Sequence, residues 1–299
     1  MTEIEPRARR RGAHRAGATG PRYPGWLALP AVGWYLLFFV GPLAIMAAYS
    51  FAEASGFTDV AFNWNLGNYR YLWDPLYGEI FLRTLQLGLV GTIATLLIGF
   101  PFAYYLARYA KHKTLLLLLV IIPFWTSFLI RTYSFLIVLS PEFFLSDWLE
   151  SLRLTDGPLD ILYTTTAIQI GLVYNYLPLF VLPLYATLER MDWRLIDAAK
   201  DLGASEWGAF RQITLRLTAP GLITGTLLVF IPMMGEYVIP LVLGGGGVDF
   251  IGNVIQRLFL EAQDYALGSA LALLVMGALS FFVALYLYLS TRTEQEYGA

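Results

Sequence analysis

The sequence predicts an all-α membrane protein of six transmembrane helices, and three observations carry that prediction. Six stretches run without a single Asp, Glu, Lys or Arg, at residues 27–52, 84–107, 114–130, 161–188, 217–235 and 265–291. The composition agrees, since 57% of the 299 residues are hydrophobic and 14% charged, whereas a soluble domain averages about 45–50% apolar and about 25% charged. Mean hydropathy is +0.59. The basic residues, finally, crowd onto alternate connections between the apolar stretches.

A bilayer core of about 30 Å needs about 20 residues of helix, so each stretch spans it or nearly does. The third is interrupted by Arg131 and continues through 132–141, and the fifth is interrupted by Glu236 and continues through 237–248. Lys and Arg gather on the cytoplasmic side of a membrane protein. Arg7, Arg9, Arg10, Arg11, Arg15 and Arg22 near the amino terminus, three after the second span, five at 189–216 and Arg292 give 15 on one side. Arg70, Arg83, Arg153 and Arg257 are the 4 on the other, so both termini are predicted to be cytoplasmic. That second side carries 12 carboxylates, among them Glu53, Asp59, Asp74, Asp156 and Asp249, and an acidic face concentrates cations. The predicted layout is a disordered basic arm at 1–24, a membrane domain at 25–291 and a cytoplasmic tail at 292–299. The arm lacks the apolar core of a signal peptide.

Several chemistries are excluded. With no cysteine, and with His14 and His112 as the 2 histidines, the chain offers no disulfide, no thiol nucleophile and no histidine-based metal site. Lys111, Lys113 and Lys200 follow no glycine run, so no phosphate loop exists, and the glycines at 244–247 read as a turn. No cofactor, metal or nucleic-acid partner is predicted. Any ATP must be hydrolysed by another subunit.

The two charges inside the spans invite a role, because an ionised side chain at depth costs about 2.5–3.5 kcal/mol by insertion scales and persists when paired or beside water. Counting along straight helices puts Arg131 about 25 Å into the third and Glu236 about 28 Å into the fifth. Two readings stay open. In one, Glu236 sits at a helix break beside Pro232, Gly235 and Pro240 and takes a substrate ammonium, since broken helices at depth line cavities. In the other, Arg131 and Glu236 form an ion pair that fixes helix packing. Trp125, Tyr133, Tyr174 and Tyr237 supply aromatic faces for a cation or anchors at the membrane boundary. Asn175 is a polar companion on a proline-broken fourth helix, and Asp249 and Asn253 stand at the outer mouth. Gly88, Gly91, Thr92 and Thr95 on the second span, with Gly268, Ala272 and Gly277 on the sixth, permit close helix packing.

Residues 189–216 are too patterned for a passive linker. Leu195, Ile196, Ala199 and Leu202 recur at helical spacing, Gly203 can close that helix, and Ser205 with Trp207 and Phe210 can open another. This predicts a helix–turn–helix outside the membrane that docks on a partner.

Here the residues carry a family resemblance. Asp197-Ala198-Ala199, three residues, Gly203, nine residues and Ile213-Thr214-Leu215 resemble the EAA loop of permease subunits in binding-protein-dependent ABC importers. Asp197 stands where that family usually has Glu, and Arg216 where it usually has Pro. The segments 123–133, 232–240 and 251–255 resemble the spermidine/putrescine-type permeases of the MetI-like family, over roughly residues 27–290. The resemblance implies a non-catalytic permease in the bacterial plasma membrane, surrounded by lipid. It implies a second homologous permease, an extracytoplasmic substrate-binding protein and two ATP-binding subunits that engage the loop through Asp197, Ala198, Ala199, Gly203, Ile213 and Leu215. A polyamine would pass Glu236, Tyr237, Trp125, Tyr133, Tyr174, Asn175 and Arg131. Permeases for iron, sulfate or opine-like solutes share much of this layout, and a proton-coupled transporter using Glu236 is a further alternative.

Overall fold

The computed structural model describes residues 29–54, 60–152 and 157–297, with backbone alone at 54, 60 and 290–297. The basic arm at 1–24, Asp59, Arg153, Asp156 and the side chain of Arg292 lie outside the described residues. Helix α1 (Leu29–Ser50) carries a π-helical stretch at Leu36–Val40. Residues 29–45 fall in one compact unit and those from 46 onward in another. Among the described residues of the first unit no side chain is buried, and Trp34 and Tyr35 lie against Phe38 and Phe39 at 4.2 and 4.8 Å between ring centres. A helix apolar all round suits lipid.

In the second unit the end of α1 is tied down by polar side chains. Asn68 donates to the carbonyls of Ser50 and Ala52 at 3.0 and 2.7 Å, taking up acceptors that a helix end leaves free. A two-residue antiparallel ladder, β1 (Glu53–Ala54) with β2 (Val60–Ala61), precedes the short helix α2 (Gly67–Tyr71). Helix α3 (Pro75–Arg108) starts where Asp74 accepts from the Leu76 amide at 2.9 Å and Pro75 fits the first turn. It therefore begins nine residues before the charge-free stretch, because Glu79 and Arg83 end an apolar run without ending a helix. At 34 residues it is about 51 Å long.

The third span is not straight. Helix α4 (Lys113–Trp125) turns through 98° into α5 (Phe128–Val138). Pro123 lies in the last turn of α4, and Thr126 and Ser127 are extended, with ψ of 157° and 131°. The straight-helix depth of Arg131 is thereby corrected, since it lies beyond the turn. Helix α6 (Phe144–Ser151) leads to α7 (Thr165–Glu189). The expected proline break in the fourth span does not occur: α7 runs unbroken through Pro178 and Pro183. Each proline removes one hydrogen bond, but Phe180, Val181, Leu184 and Leu188 are fully buried against the neighbouring helices and hold the segment helical.

After α7 come α8 (Arg194–Asp201) and α9 (Glu206–Leu217), the second with π-helical Phe210–Thr214. A 67° bend leads into α10 (Ala219–Met234). The fifth span then breaks at 235–237 and resumes as α11 (Val238–Leu243). A glycine turn with Gly245 and Gly246 at φ of 58° and 78° connects to α12 (Ile251–Leu260), and α13 (Tyr265–Tyr297) closes the chain.

The main core joins α3, α7 and α10, and a second one joins α12, α13 and Leu72. Glycines set the closest approaches. A Cβ on Gly99 would meet the Phe180 ring at 2.5 Å, and one on Gly225 would meet the same ring at 2.9 Å and the Phe180 carbonyl at 3.1 Å. Gly88 and Gly91 on α3 likewise admit Met234 and Met233, whereas Gly277 on the last helix faces open space. Gly225→Val should overpack the α7–α10 contact, lowering stability by about 1–3 kcal/mol. Thermal melts of helical circular dichroism in detergent would register this as a lower midpoint; an unchanged midpoint would mean the contact yields freely.

Candidate functional site

The break in the fifth span starts with sequence chemistry. Pro232 and Gly235 weaken the helix end, and the chain turns so that Glu236 folds over the first turn of α11. One carboxylate oxygen accepts the amides of Tyr237, Val238 and Ile239 at 3.0, 2.8 and 3.3 Å. The other accepts the Tyr176 hydroxyl of α7 at 2.5 Å. A carboxylate offers about two acceptor positions on each oxygen; three amides crowd one oxygen of Glu236 and a single hydroxyl engages the other. Glu236 is 7% exposed, so its negative charge is held by donors at the positive end of a helix.

The break in the third span is arranged with the opposite sign. Arg131 donates from Nη1 to the Pro123 carbonyl at 2.9 Å, at the negative end of α4, and from Nε to Asn175 Oδ1 at 2.6 Å. Its guanidinium also stands over Phe124 and Phe128 at 5.5 and 6.0 Å from the ring centres. Asn175 in turn donates to the Gly171 carbonyl at 2.9 Å. The Arg131–Glu236 ion pair, the second of the two readings, is not formed. Each charge instead satisfies the broken end of a helix and is anchored to α7, one at Asn175 and the other at Tyr176.

Helix α12 braces the second break. Asn253 donates to the Tyr237 carbonyl at 2.8 Å and accepts from the Phe250 amide at 3.2 Å, while the Ile251 amide donates to Thr84 at 2.8 Å. A Cβ on Gly252 would lie 2.7 Å from the Glu236 carbonyl, so only glycine allows this approach. Asp249 takes both Arg257 terminal nitrogens at 2.7 and 2.8 Å. Asp249 and Asn253, predicted at an outer mouth, are thus committed to internal bonds.

The aromatic candidates are open by comparison. Trp125, at the end of α4, is 82% exposed, and Tyr133, Tyr174 and Tyr237 are about half exposed. Tyr174 meets Phe135 edge-on at 5.0 Å. Tyr133 lies on α5, Tyr174 on α7 and Tyr237 just before α11, three helices that pack together.

Residues 189–216 form a small core of their own, with Met191, Ile196 and Ala209 buried and Ala199 and Ile213 packed on them. Gly203 closes α8 at φ of 91°, and Ser205 caps α9 by accepting the Gly208 amide at 3.1 Å. Asp197 and Ala198 are exposed and Leu215 is half-buried. The expected apolar face divides: Ile196 and Ala199 turn inward, while Leu202 is 90% and Trp207 68% exposed. Lys200 and Glu206 pair at 2.7 Å across the turn, which raises the lysine pKa and lowers that of the glutamate through their hydrogen bond.

Residues 95–295 match the family described as binding-protein-dependent transport system inner membrane component. The chain belongs to that family. The inner membrane component is 42% identical over 250 residues to the spermidine/putrescine transport system permease protein PotB of Escherichia coli K12, covering 82% of this chain and 91% of that one. Its identity to the Haemophilus influenzae protein of the same name is 40% over 253 residues, covering 84% and 88%. A crystal structure of a bacterial ABC transporter that imports the acidic polysaccharide alginate shares the fold, with a TM-score of 0.66 at 18% identity over 90% of this chain and 96% of that one.

Tyr176 and Gly252 escaped the reading of the permease sequence. Residues 174, 175 and 176 each differ by about 100° around a helix, so the pattern alone cannot say which of three neighbouring polar groups faces the fifth span. Tyr176→Phe should leave one oxygen of Glu236 without its donor, costing about 1–3 kcal/mol. Combined with Glu236→Gln, the loss should fall short of the sum of the two. A double-mutant cycle on the melting midpoint measures the coupling, and strict additivity would dissolve the pair.

Proposed function

We propose that this chain is one of two permease subunits of an ATP-driven importer of polyamines, of the spermidine and putrescine class. The observation that carries the reading is its 42% identity to the E. coli spermidine/putrescine permease across 91% of that protein. The second permease completes the path, two ATP-binding subunits hydrolyse ATP at the cytoplasmic face, and an extracytoplasmic binding protein delivers the solute. Both termini and residues 189–216 are cytoplasmic, in keeping with 15 basic residues on that side against 4 on the other.

The geometry supports a division of labour. The exposed Leu202 and Trp207, beside Asp197, Ala198 and the turn at Gly203, offer a compact apolar surface to an ATPase. Trp125, Tyr133, Tyr174 and Tyr237 offer ring faces to ammonium groups and methylene spacers on their way through. Glu236, buried and bonded to four donors, contributes by the field of its charge and by holding Tyr237 in place. Arg131 keeps the third span bent.

The deciding experiment is ATP-dependent uptake of labelled spermidine and putrescine into vesicles holding the complete complex, with sugars and anions as competitors. Saturable uptake that polyamines alone inhibit is the expected result. ATP-driven transport of a different solute would keep the importer and discard the polyamine, and uptake without ATP would discard the importer. In the same assay Glu236→Gln keeps an acceptor for the three amides but removes the charge. Uptake should fall about tenfold at low solute concentration with assembly intact.

A further inference from the structure

Helix α3 has no chain connection to residues 189–216, yet it touches them through one cluster of rings. Phe210 meets Phe100 at 5.6 Å and Tyr104 at 6.0 Å, both edge-on. Trp193 meets Tyr104 edge-on at 5.6 Å. The Arg108 guanidinium lies over Trp193 at 5.1 Å and donates to the Tyr104 hydroxyl at 2.9 Å, so the cation fixes the tyrosine and covers the tryptophan together. Edge-on ring pairs are directional contacts.

The covalent route from this segment to the membrane helices is softer. It runs through the π-helical Phe210–Thr214 and then the 67° bend before α10. Irregular turns and bends of this kind are where helices yield. The lateral route continues into α3, one unbroken helix whose far half carries Thr84, Gly88 and Gly91. Thr84 accepts from the first amide of α12, and the two glycines receive Met234 and Met233, the residues just before the break at Gly235. From Tyr104 to Gly88 is about 24 Å along one helix, which stays continuous through Pro101.

We propose that Tyr104, Arg108 and Trp193 form the joint that passes motion of residues 189–216 to α3, and through α3 to the broken fifth span. The three are positioning residues, acting through helix placement and touching neither solute nor nucleotide. The inference rests on the reading above that residues 189–216 dock on an ATPase. A static packing role would tie stability, but not energy conversion, to the same side chains.

The test uses the complete complex in vesicles and reads solute imported per ATP hydrolysed, alongside stimulation of hydrolysis by loaded binding protein. Trp193→Leu and Arg108→Gln should each lower the import-to-hydrolysis ratio by about tenfold while hydrolysis persists. Trp193→Phe, which keeps a ring edge for Tyr104, should recover part of the ratio. Import and hydrolysis falling in proportion, or a ratio within about twofold of the parent, would overturn the joint. If Trp193→Leu fails to assemble, Arg108→Gln decides alone, since it leaves every ring in place. Because the chain has no cysteine, Leu202→Cys with a thiol-to-amine cross-linker reports separately on ATPase docking. No cross-link would remove the docking reading and the joint with it; a cross-link with an unchanged ratio would remove the joint alone.

Discussion

A helix that breaks inside a bilayer must find partners for the backbone groups it releases, because lipid offers none. The fold turns on how two such breaks are satisfied. The third span stops at Pro123 and Thr126, and Arg131 returns to the Pro123 carbonyl that the Thr126 amide and hydroxyl also engage; the fifth stops at Gly235, and Glu236 returns to three freed amides. Each side chain brings the charge that its helix end attracts, positive at a carbonyl end and negative at an amide end. The cost of placing an ion at depth is offset locally, without the two ions meeting.

Both arrangements are fastened to consecutive residues of α7, which makes that helix the reference for everything around it. Asn175 holds Arg131 and Tyr176 holds Glu236. The same helix presents Phe180 to Gly99 and Gly225, so α3 and α10 register against it too. Its two prolines are tolerated because the surrounding contacts are dense enough to keep the helix whole. The broken limbs α5 and α11 then pack against each other and against α7. Short helices of 11 and 6 residues would not hold a fixed position alone.

The spans were legible because membranes impose a long, simple pattern. Charge-free runs gave their number, and Gly203 with Ser205 gave the turn in residues 189–216, since both rest on local chemistry. Local chemistry also marked the fifth break, through Pro232, Gly235 and Glu236. What a linear pattern lacks is direction. Pro123 signals a bend in the third span but not one of 98°, and once the chain turns, depth counted along a straight helix loses meaning for Arg131. Two opposite charges at similar apparent depth then look like partners. The bonds of Asp249 and Asn253 were hidden for a related reason, because nothing in their spacing reveals that Arg257 and the Tyr237 carbonyl lie within reach.

This economy of charge bears on how a cationic solute would be recognised on the proposed reading. A carboxylate that already accepts from three amides and a hydroxyl, and is 7% exposed, leaves an ammonium little access, and each bond surrendered to a charged group costs about 1.5–3 kcal/mol. Strong, permanent capture would also defeat transport, because a solute must leave as readily as it enters. Ring faces suit that demand better. A cation–π contact is worth about 0.5–2 kcal/mol, depending on how far it is shielded from water, so a row of exposed tyrosines and a tryptophan offers several shallow stops in place of one deep one. On that reading the burial of Glu236 and the openness of Trp125, Tyr133, Tyr174 and Tyr237 serve one requirement, the charge shaping the field and the rings making the contacts.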